Sequence, residues 1–581
     1  MVFTQITVTA FVLLALGQSA QALSDVPLPS KFVRRSVAKA AVLGNYVYVD
    51  GGEISQFGDD GKIGPRTSNQ VNSTLSIDIS QSWKTDSVTI RTIPKAPLPP
   101  KQNVHLWTDT VEGALYSWGG KFFLGQNMTK TELYKFTADG KGGGSWAVQS
   151  PGNPSLFNGL IPGEFSAVTT VNDTGYLIGG IASGWTQLSR ARNQVLPGML
   201  AYNMKTHIWQ NGTVGFSPFN TLIGAEASYL PTFGPNGLVL VLGGYSPRVD
   251  GEPNINASPS QDFRNLTFFN PLTKTTYWQT TTGEAPPSPR GRFCITGFRN
   301  TAGGYELFLF GGVNLRDKFT YHDAYILSLP GFVWTKLSEP PAGPRAEQTC
   351  VAVGKRQVLS IGGTNPYLAQ WTDPDPAPNG LLVFDMTAMA WRDSYDANAA
   401  AYEAPDAVQS WYSKGSLDSV EWSSEDVKRL FAVVNEPGDF DPAPNQPSAG
   451  EKEGASTPVG AIAGGVVGGV AALVIVLAIV WYVRRRNNKK QQPEHGIPPP
   501  ELPNTQPSTE LKYAYGGPPT GEAGIPDHHE LAGGAAVDSK AASYTASNQH
   551  ELETSHARQE LPGWNSGAAP VELYGGEVPR R

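Results

Sequence analysis

Catalysis needs groups that converge, and this chain supplies few. Only three of its eight histidines, His105, His207 and His322, precede residue 459, and they fall at unrelated points. Such scattered imidazoles predict no metal site. His529-Glu530 and His550-Glu551 begin like a zinc-peptidase helix, but His556 follows His550 by six residues, not four. No G-x-S-x-G elbow is present, and no phosphate-binding loop precedes a helix. The carboxylate pairs Asp59/Asp60 and Asp373/Asp375 could serve hydrolysis in principle, yet solvated loop acids look the same. The expectation is therefore no enzyme, no metal and no cofactor. What remains is recognition chemistry. Arg248, Asp250, Asp262 and Arg264 lie in one long segment, and Tyr367, Trp371, Asp373 and Asp375 in another. Arginine and aromatic side chains dominate binding energy at many interfaces. Trp371 stands outside any regular pattern, so it either meets a ligand or anchors its own loop.

The elements that would hold these segments are repeats. A short apolar run ends in Gly-Gly six times, at Gly51-Gly52, Gly119-Gly120, Gly179-Gly180, Gly243-Gly244, Gly311-Gly312 and Gly362-Gly363. A second apolar run and then a tryptophan follow each doublet, at Trp83, Trp146, Trp209, Trp278, Trp334 and Trp391. Such units predict four-stranded blades of an all-β propeller over residues 36–391, with each doublet closing a second strand. In the fourth unit the strands are expected at 225–229, 237–242, 266–269 and 276–280. The tryptophans are expected to fill the wedges between blades, so that Trp278→Ala would cost about 3–5 kcal/mol. Antiparallel strands alternate direction, so the second-to-third loops and the links between blades open on one face. Those are the long segments, 53–73, 181–198, 245–265 and 364–380. Long loops on a rigid scaffold are where binding sits.

The doublet, the aliphatic or aromatic third strand and the trailing tryptophan resemble kelch repeats, and the whole layout is similar to fungal kelch-repeat proteins with one membrane span. The resemblance implies a six-bladed propeller that binds a protein or a cell-wall glycan. The units exceed the roughly 50 residues typical of kelch. Galactose oxidase has a similar architecture and implies an alternative, a membrane-tethered copper enzyme whose imidazole and phenolate ligands accompany a cysteine-tyrosine cross-link. A third reading is a passive structural or adhesion component of the wall. The two cysteines, Cys294 and Cys350, begin apolar runs in neighbouring units. They are either bridged or two buried thiols.

The flanks set location. Residues 1–22 end in Ala20-Gln21-Ala22 after a short apolar stretch and read as a secretory signal, followed by a lead-in over 23–35. Residues 392–435 form a non-repeating segment in which Ser423-Ser424-Glu425 followed by DVKRLFAVV predicts a capped helix of two to three turns, and 436–458 form a Pro-rich stalk. Residues 459–483 carry no charge and are long enough to cross a bilayer, and Arg484, Arg485 and Arg486 follow. The positive flank predicts a single-pass plasma-membrane protein with its N-terminus outside. Gly460, Gly464 and Gly468 suit close helix packing and self-association. The tail, 484–581, lacks the large apolar residues needed for a core, and its repeated Glu-Leu pairs suggest docking of cytosolic proteins. Six glycosylation sequons, at Asn72, Asn127, Asn172, Asn211, Asn256 and Asn265, all precede the span. A net charge of -7 gives no case for nucleic-acid binding.

Overall fold

A computed structural model describes residues 23–432, apart from 65, 124, 125, 127, 128, 188–191, 214, 251, 369 and 370. The expectations for the signal, stalk, span and tail, for Gly460, Gly464 and Gly468, and for Asn127 lie outside the described residues. Among the described residues no helix is long and apolar enough to cross a membrane.

The architecture is mostly antiparallel β-structure. Six sheets each contain a four-strand meander in sequence order. Sheet 1 begins at Lys39–Leu43, sheet 2 at His105–Asp109, sheet 3 at Ala167–Val171, sheet 4 at Glu226–Leu230, sheet 5 at Cys294–Arg299 and sheet 6 at Thr349–Val353. These first strands neighbour one another in sequence order, and the sixth returns to the first. Sheet 4 shows how closely the pattern locates strands. Its members are Glu226–Leu230, Leu238–Leu242, Asn265–Asn270 and Thr275–Thr280, each within one residue of expectation at either end. The second strands are buried almost throughout, as in LVLVL at Leu238–Leu242, because both faces of each sheet are covered.

The doublets have a common structural reason. Each follows the last residue of a second strand, and all twelve glycines have positive φ. The second glycine donates its N–H to a carbonyl of the link that precedes the next sheet. The pairs are Gly52 to Lys101, Gly120 to Gly163, Gly180 to Leu222, Gly244 to Arg290 and Gly312 to Arg345, at 2.6–2.9 Å. Gly363 donates to Arg35, in the lead-in before sheet 1, at 2.8 Å, and so joins the last sheet to the first. A Cβ on the first glycine would strike the same carbonyl, at 2.3 Å for Gly179 against Leu222. The C-terminal side adds a second tie, since Ser394–Tyr395 pairs with Trp83–Lys84.

The tryptophans depart from the simple repeat. Trp146, Trp209 and Trp334 are buried opposite the inward third-strand residues Phe136, Tyr202 and Leu327. Trp391 is half-buried against Phe310 and Phe384. Trp278, in contrast, is 54% exposed. In sheet 4 it is Tyr277 that opposes Phe268 and stacks on it at 5.7 Å. Side chains alternate faces along a strand, so this one-residue offset turns Trp278 outward. The expected 3–5 kcal/mol for Trp278 does not hold. Trp83 is not in a fourth strand at all. Sheet 1 ends with Ile90–Pro94, where Ile90 opposes Ile77, while Trp83 packs on Tyr395 at 5.2 Å.

The segment after sheet 6 carries two helices, Asp406–Ser413 and Glu425–Ala432. Ser424 Oγ accepts from the Val427 N–H at 3.2 Å, which caps the expected helix. Phe431 packs between Phe233, Phe268 and Phe332, and Gly234 donates to the Leu430 carbonyl at 2.9 Å. Gly234 lies in a first-to-second turn and Phe332 in a third-to-fourth turn. This segment therefore covers the end of sheets 4 and 5 opposite the long loops.

Candidate functional site at the channel mouth

The six links between sheets follow one numerical rule. A residue two positions before each first strand has a left-handed backbone: Val37 (φ 55), Asn103 (47), Phe165 (57), Gly224 (71), Arg292 (54) and Glu347 (63). The carbonyl that receives the glycine N–H lies two positions earlier still. The left-handed residues also bond to one another. Asn103 donates its N–H to Val37, Val37 to Glu347, Glu347 to Arg292, Arg292 to Gly224 and Gly224 to Phe165, at 2.7–3.1 Å. A belt of peptide groups thus runs round the inner ends of the six sheets. Five of its members are not glycine, and Val37 is β-branched, for which positive φ is a genuine outlier. Such strain, about 1–3 kcal/mol per residue, persists where its surroundings over-determine it, and it clusters at functional sites.

Beneath the belt a narrow cavity of about 30 Å³ opens, lined by residues of all six links, among them Lys39, His105, Glu226 and Gln348. A second cavity of about 130 Å³ follows along the first strands and includes Thr349. Lys39 on sheet 1 and Glu226 on sheet 4 meet across both at 3.3 Å. Burial raises the Glu226 carboxyl above its ordinary value, against the pull of Lys39. His105 Nδ1 lies 3.1 Å from the Trp118 carbonyl, which can only accept, so Nδ1 carries the proton. Nε2 is left as a buried acceptor with no hydrogen-bond partner, as is Gln348 Oε1. Burial pushes His105 down to about 3, with Lys39 adding to the effect, so the imidazole is neutral at any ordinary pH.

Around the mouth, Arg292 pairs with Glu347 and lies 4.2 Å from the centre of the Phe165 ring. Asn103 donates to Glu164 at 3.0 Å. Tyr367 comes from the long loop of sheet 6, 364–380, and is half-buried against the apolar cluster around Tyr245 and Val313, on which Phe165 also packs. Arg292 and Glu347 both act on its phenol, which burial raises above its usual range. Outside the mouth, buried basic residues of the links neutralise the first-glycine carbonyls. Arg290 donates to Gly311 at 3.0 Å and pairs with Asp323, and Arg345 donates to Gly362 at 3.1 Å and pairs with Asp375. Lys101 donates to Gly119 at 3.1 Å, and burial lowers it to about 7.

The residues expected to bind do not form one group. Tyr367 lies near Arg292 and Glu347, which line the smaller cavity, but does not itself line it. Arg248, Asp262 and Arg264 are exposed on the long loop of sheet 4, 245–265. Arg248 lies 5.0 Å from the Phe219 ring centre and 3.3 Å from Asp250, while Asp262 accepts from the Arg264 N–H. Trp371, expected as a contact residue, is only 5% exposed, so its side chain is packed inside rather than presented to a ligand, and its carbonyl accepts from Ser55 at 2.6 Å. Asp375 is likewise a buried partner of Arg345 rather than a solvated loop acid. Cys294 and Cys350 are bridged across the first strands of sheets 5 and 6, and both line the larger cavity. The belt was missed. Its residue types differ at every repeat, and only their constant distance from the first strand could have revealed them.

No family model matches the chain. It is 25% identical over 415 residues to a kelch repeat-containing protein of Arthroderma benhamiae, covering 64% of this chain and 58% of that protein. The chain is similar to kelch-repeat proteins. Kelch domain-containing protein 3 of Homo sapiens is 37% identical over 90 residues, 14% of this chain and 22% of that protein. That of Mus musculus is 38% identical over 85 residues, 14% of this chain and 21% of that protein. The match thus spans less than two thirds of each relative's own length. A solved structure described as the structure of YjhT superposes with a TM-score of 0.42 at 13% identity, covering 63% of this chain and 99% of that one.

Proposed function

We propose that the chain is a cell-surface protein whose six sheets are the blades of a kelch-type propeller, and that the long-loop face around the channel mouth binds a protein or a glycan. The observation that carries this reading is the belt, five strained non-glycine residues held round one opening. The long loops surround that opening, and the C-terminal segment occupies the opposite end of the sheets. A ligand on the loop face is therefore not obstructed by the described residues 392–432. The Cys294–Cys350 bridge supports an oxidising compartment. Asn72, Asn172, Asn211, Asn256 and Asn265 are all exposed, as acceptors of glycans need to be. The signal, the span over 459–483 and the tail complete a type I membrane protein with cytosolic partners. Against the copper-enzyme alternative stands the bridge itself, which occupies both cysteines that a tyrosine cross-link would need. The three histidines also have separate surroundings. His105 faces the channel, His207 bonds to Tyr202 at 2.9 Å, and His322 pairs with Glu339 at 3.0 Å.

The test is binding of the purified protein to a panel of wall polysaccharides and surface proteins, repeated with Tyr367→Ala and with Arg264→Ala. For whichever probe binds, Tyr367→Ala should weaken binding at least about tenfold, or about 1.4 kcal/mol. Arg264, exposed on the long loop of sheet 4 and lining neither cavity, should matter less. Equal binding by wild type and Tyr367→Ala would move the site off the mouth.

A further inference from the structure

Glu306, in the second strand of sheet 5, is fully buried, and among the described residues no cation pairs with it. Its oxygens instead lie within hydrogen-bond reach of three neutral groups, two of them hydroxyls that can accept from the protonated carboxyl as well as donate to the ionised one. Asn300 Nδ2 lies 3.0 and 3.1 Å from the two oxygens, Ser328 Oγ 3.1 Å from one and Tyr402 Oη 3.0 Å from the other. Asn300 is fixed in this orientation, because its Oδ1 accepts from the Ala302 and Gly304 N–H groups. Tyr402 does not belong to the sheet. It comes from the segment that follows sheet 6, and it packs on Phe298 at 5.5 Å. Tyr412, on the first helix of that segment, lies 3.3 Å from Ser328 Oγ and accepts from the Gly331 N–H at 2.9 Å. One buried carboxyl thus sits at the junction between the fifth sheet and the segment that leads towards the C-terminus.

We propose that Glu306 is a pH-sensitive latch that holds residues 402–432 on the fifth sheet while protonated and loosens them when ionised. The titratable groups that face it are Tyr402 and Tyr412, both raised by burial and both neutral through the physiological range. Asn300 and Ser328, facing it from sheet 5, do not titrate. Burial pushes the Glu306 carboxyl up from 4.5 to about 7, and the hydrogen bonds from Tyr402, Ser328 and Asn300 recover only part of the shift. With the folded value above the unfolded one, the folded junction binds more protons between the two. Its stability is therefore full below about 4.5 and declines as pH rises through about 7. Opening of the segment exposes Glu306 and restores its ordinary value. The opened population should then rise roughly 70-fold between pH 5 and pH 8.

The experiment is hydrogen exchange on the full-length protein, corrected for the intrinsic pH dependence of exchange, comparing peptides from 402–432 with peptides from sheet 2. Loss of protection in 402–432 with rising pH, and none in sheet 2, is the expected result. Glu306→Gln should flatten that dependence, because the amide cannot ionise. Tyr402→Phe removes a hydrogen bond that holds the Glu306 carboxyl down, so it should raise opening and steepen its rise with pH rather than flatten it. Protection of 402–432 that does not change with pH overturns the proposal, as does a wild-type slope in Glu306→Gln. Should Glu306→Gln fail to fold, the Glu306 carboxyl can be titrated directly by infrared or NMR in the wild type. A midpoint near 4.5 there would also overturn it.

Discussion

The inner and outer ends of the same six sheets follow different rules. At the inner ends every link repeats one spacing: a carbonyl acceptor, a left-handed residue two positions on, and a first strand two positions later. The residues at the left-handed position, Val37, Asn103, Phe165, Gly224, Arg292 and Glu347, share no chemistry. Peptide groups make the contacts there, so the backbone is fixed and the side chain is free to vary. At the outer ends the contacts are made by side chains, and each sheet solves its own packing. Trp146, Trp209 and Trp334 fill the same kind of site, Tyr277 and Ile90 replace a tryptophan in sheets 4 and 1, and Trp83 serves the tie between sheet 1 and the segment after sheet 6. A scaffold built this way can change the residues round its opening without changing its closure, which suits a recognition surface.

Four variants can break or sharpen this contrast. The largest effect is expected at the outer end, where Trp334→Ala empties a fully buried site between Phe263 and Tyr325 and should cost about 3–5 kcal/mol in denaturant unfolding. Next, replacing Cys294 and Cys350 together by alanine opens a loop of 56 residues and should cost about 2–4 kcal/mol, with the loss reproduced by reductant on the wild type. At the inner end, Gly179→Ala places a Cβ 2.3 Å from the Leu222 carbonyl at φ +65, and should cost more than about 2 kcal/mol. Smallest is Trp278→Ala. Its side chain is exposed, so the loss should stay below about 1 kcal/mol. A large loss at Trp278 would reverse the register assigned to sheet 4, and a small one at Trp334 would reverse that assigned to sheet 5.

Much of the scaffold was legible because the doublets mark a backbone requirement that no other residue meets. Their spacing located strand ends in sheet 4 to within one residue. Tryptophan was a poorer guide, since a shift of one residue along a fourth strand exchanges the core for solvent, as at Tyr277 and Trp278. The bridge between Cys294 and Cys350 depends on which first strands are neighbours and was left open by the sequence. Of the residues expected to bind, Tyr367 lies near Arg292 and Glu347 at the mouth and Trp371 is buried. A large aromatic in a long loop can face a ligand or hold the loop, and sequence does not separate the two. The belt left no mark in residue type. Glu306 also looks like any strand carboxylate until Tyr402 is seen to cover it.

The central claim is that recognition belongs to the loop face around the channel mouth. Its most direct test is a hydrogen-exchange footprint of the full-length protein, with and without the polysaccharide or protein that binds it most tightly. The account predicts protection in the long loops, above all 364–368 around Tyr367 and the links carrying Phe165, Arg292 and Glu347, with the turns at 231–237 and 330–332 unchanged. Protection confined to those turns, or to residues 402–432, would contradict it.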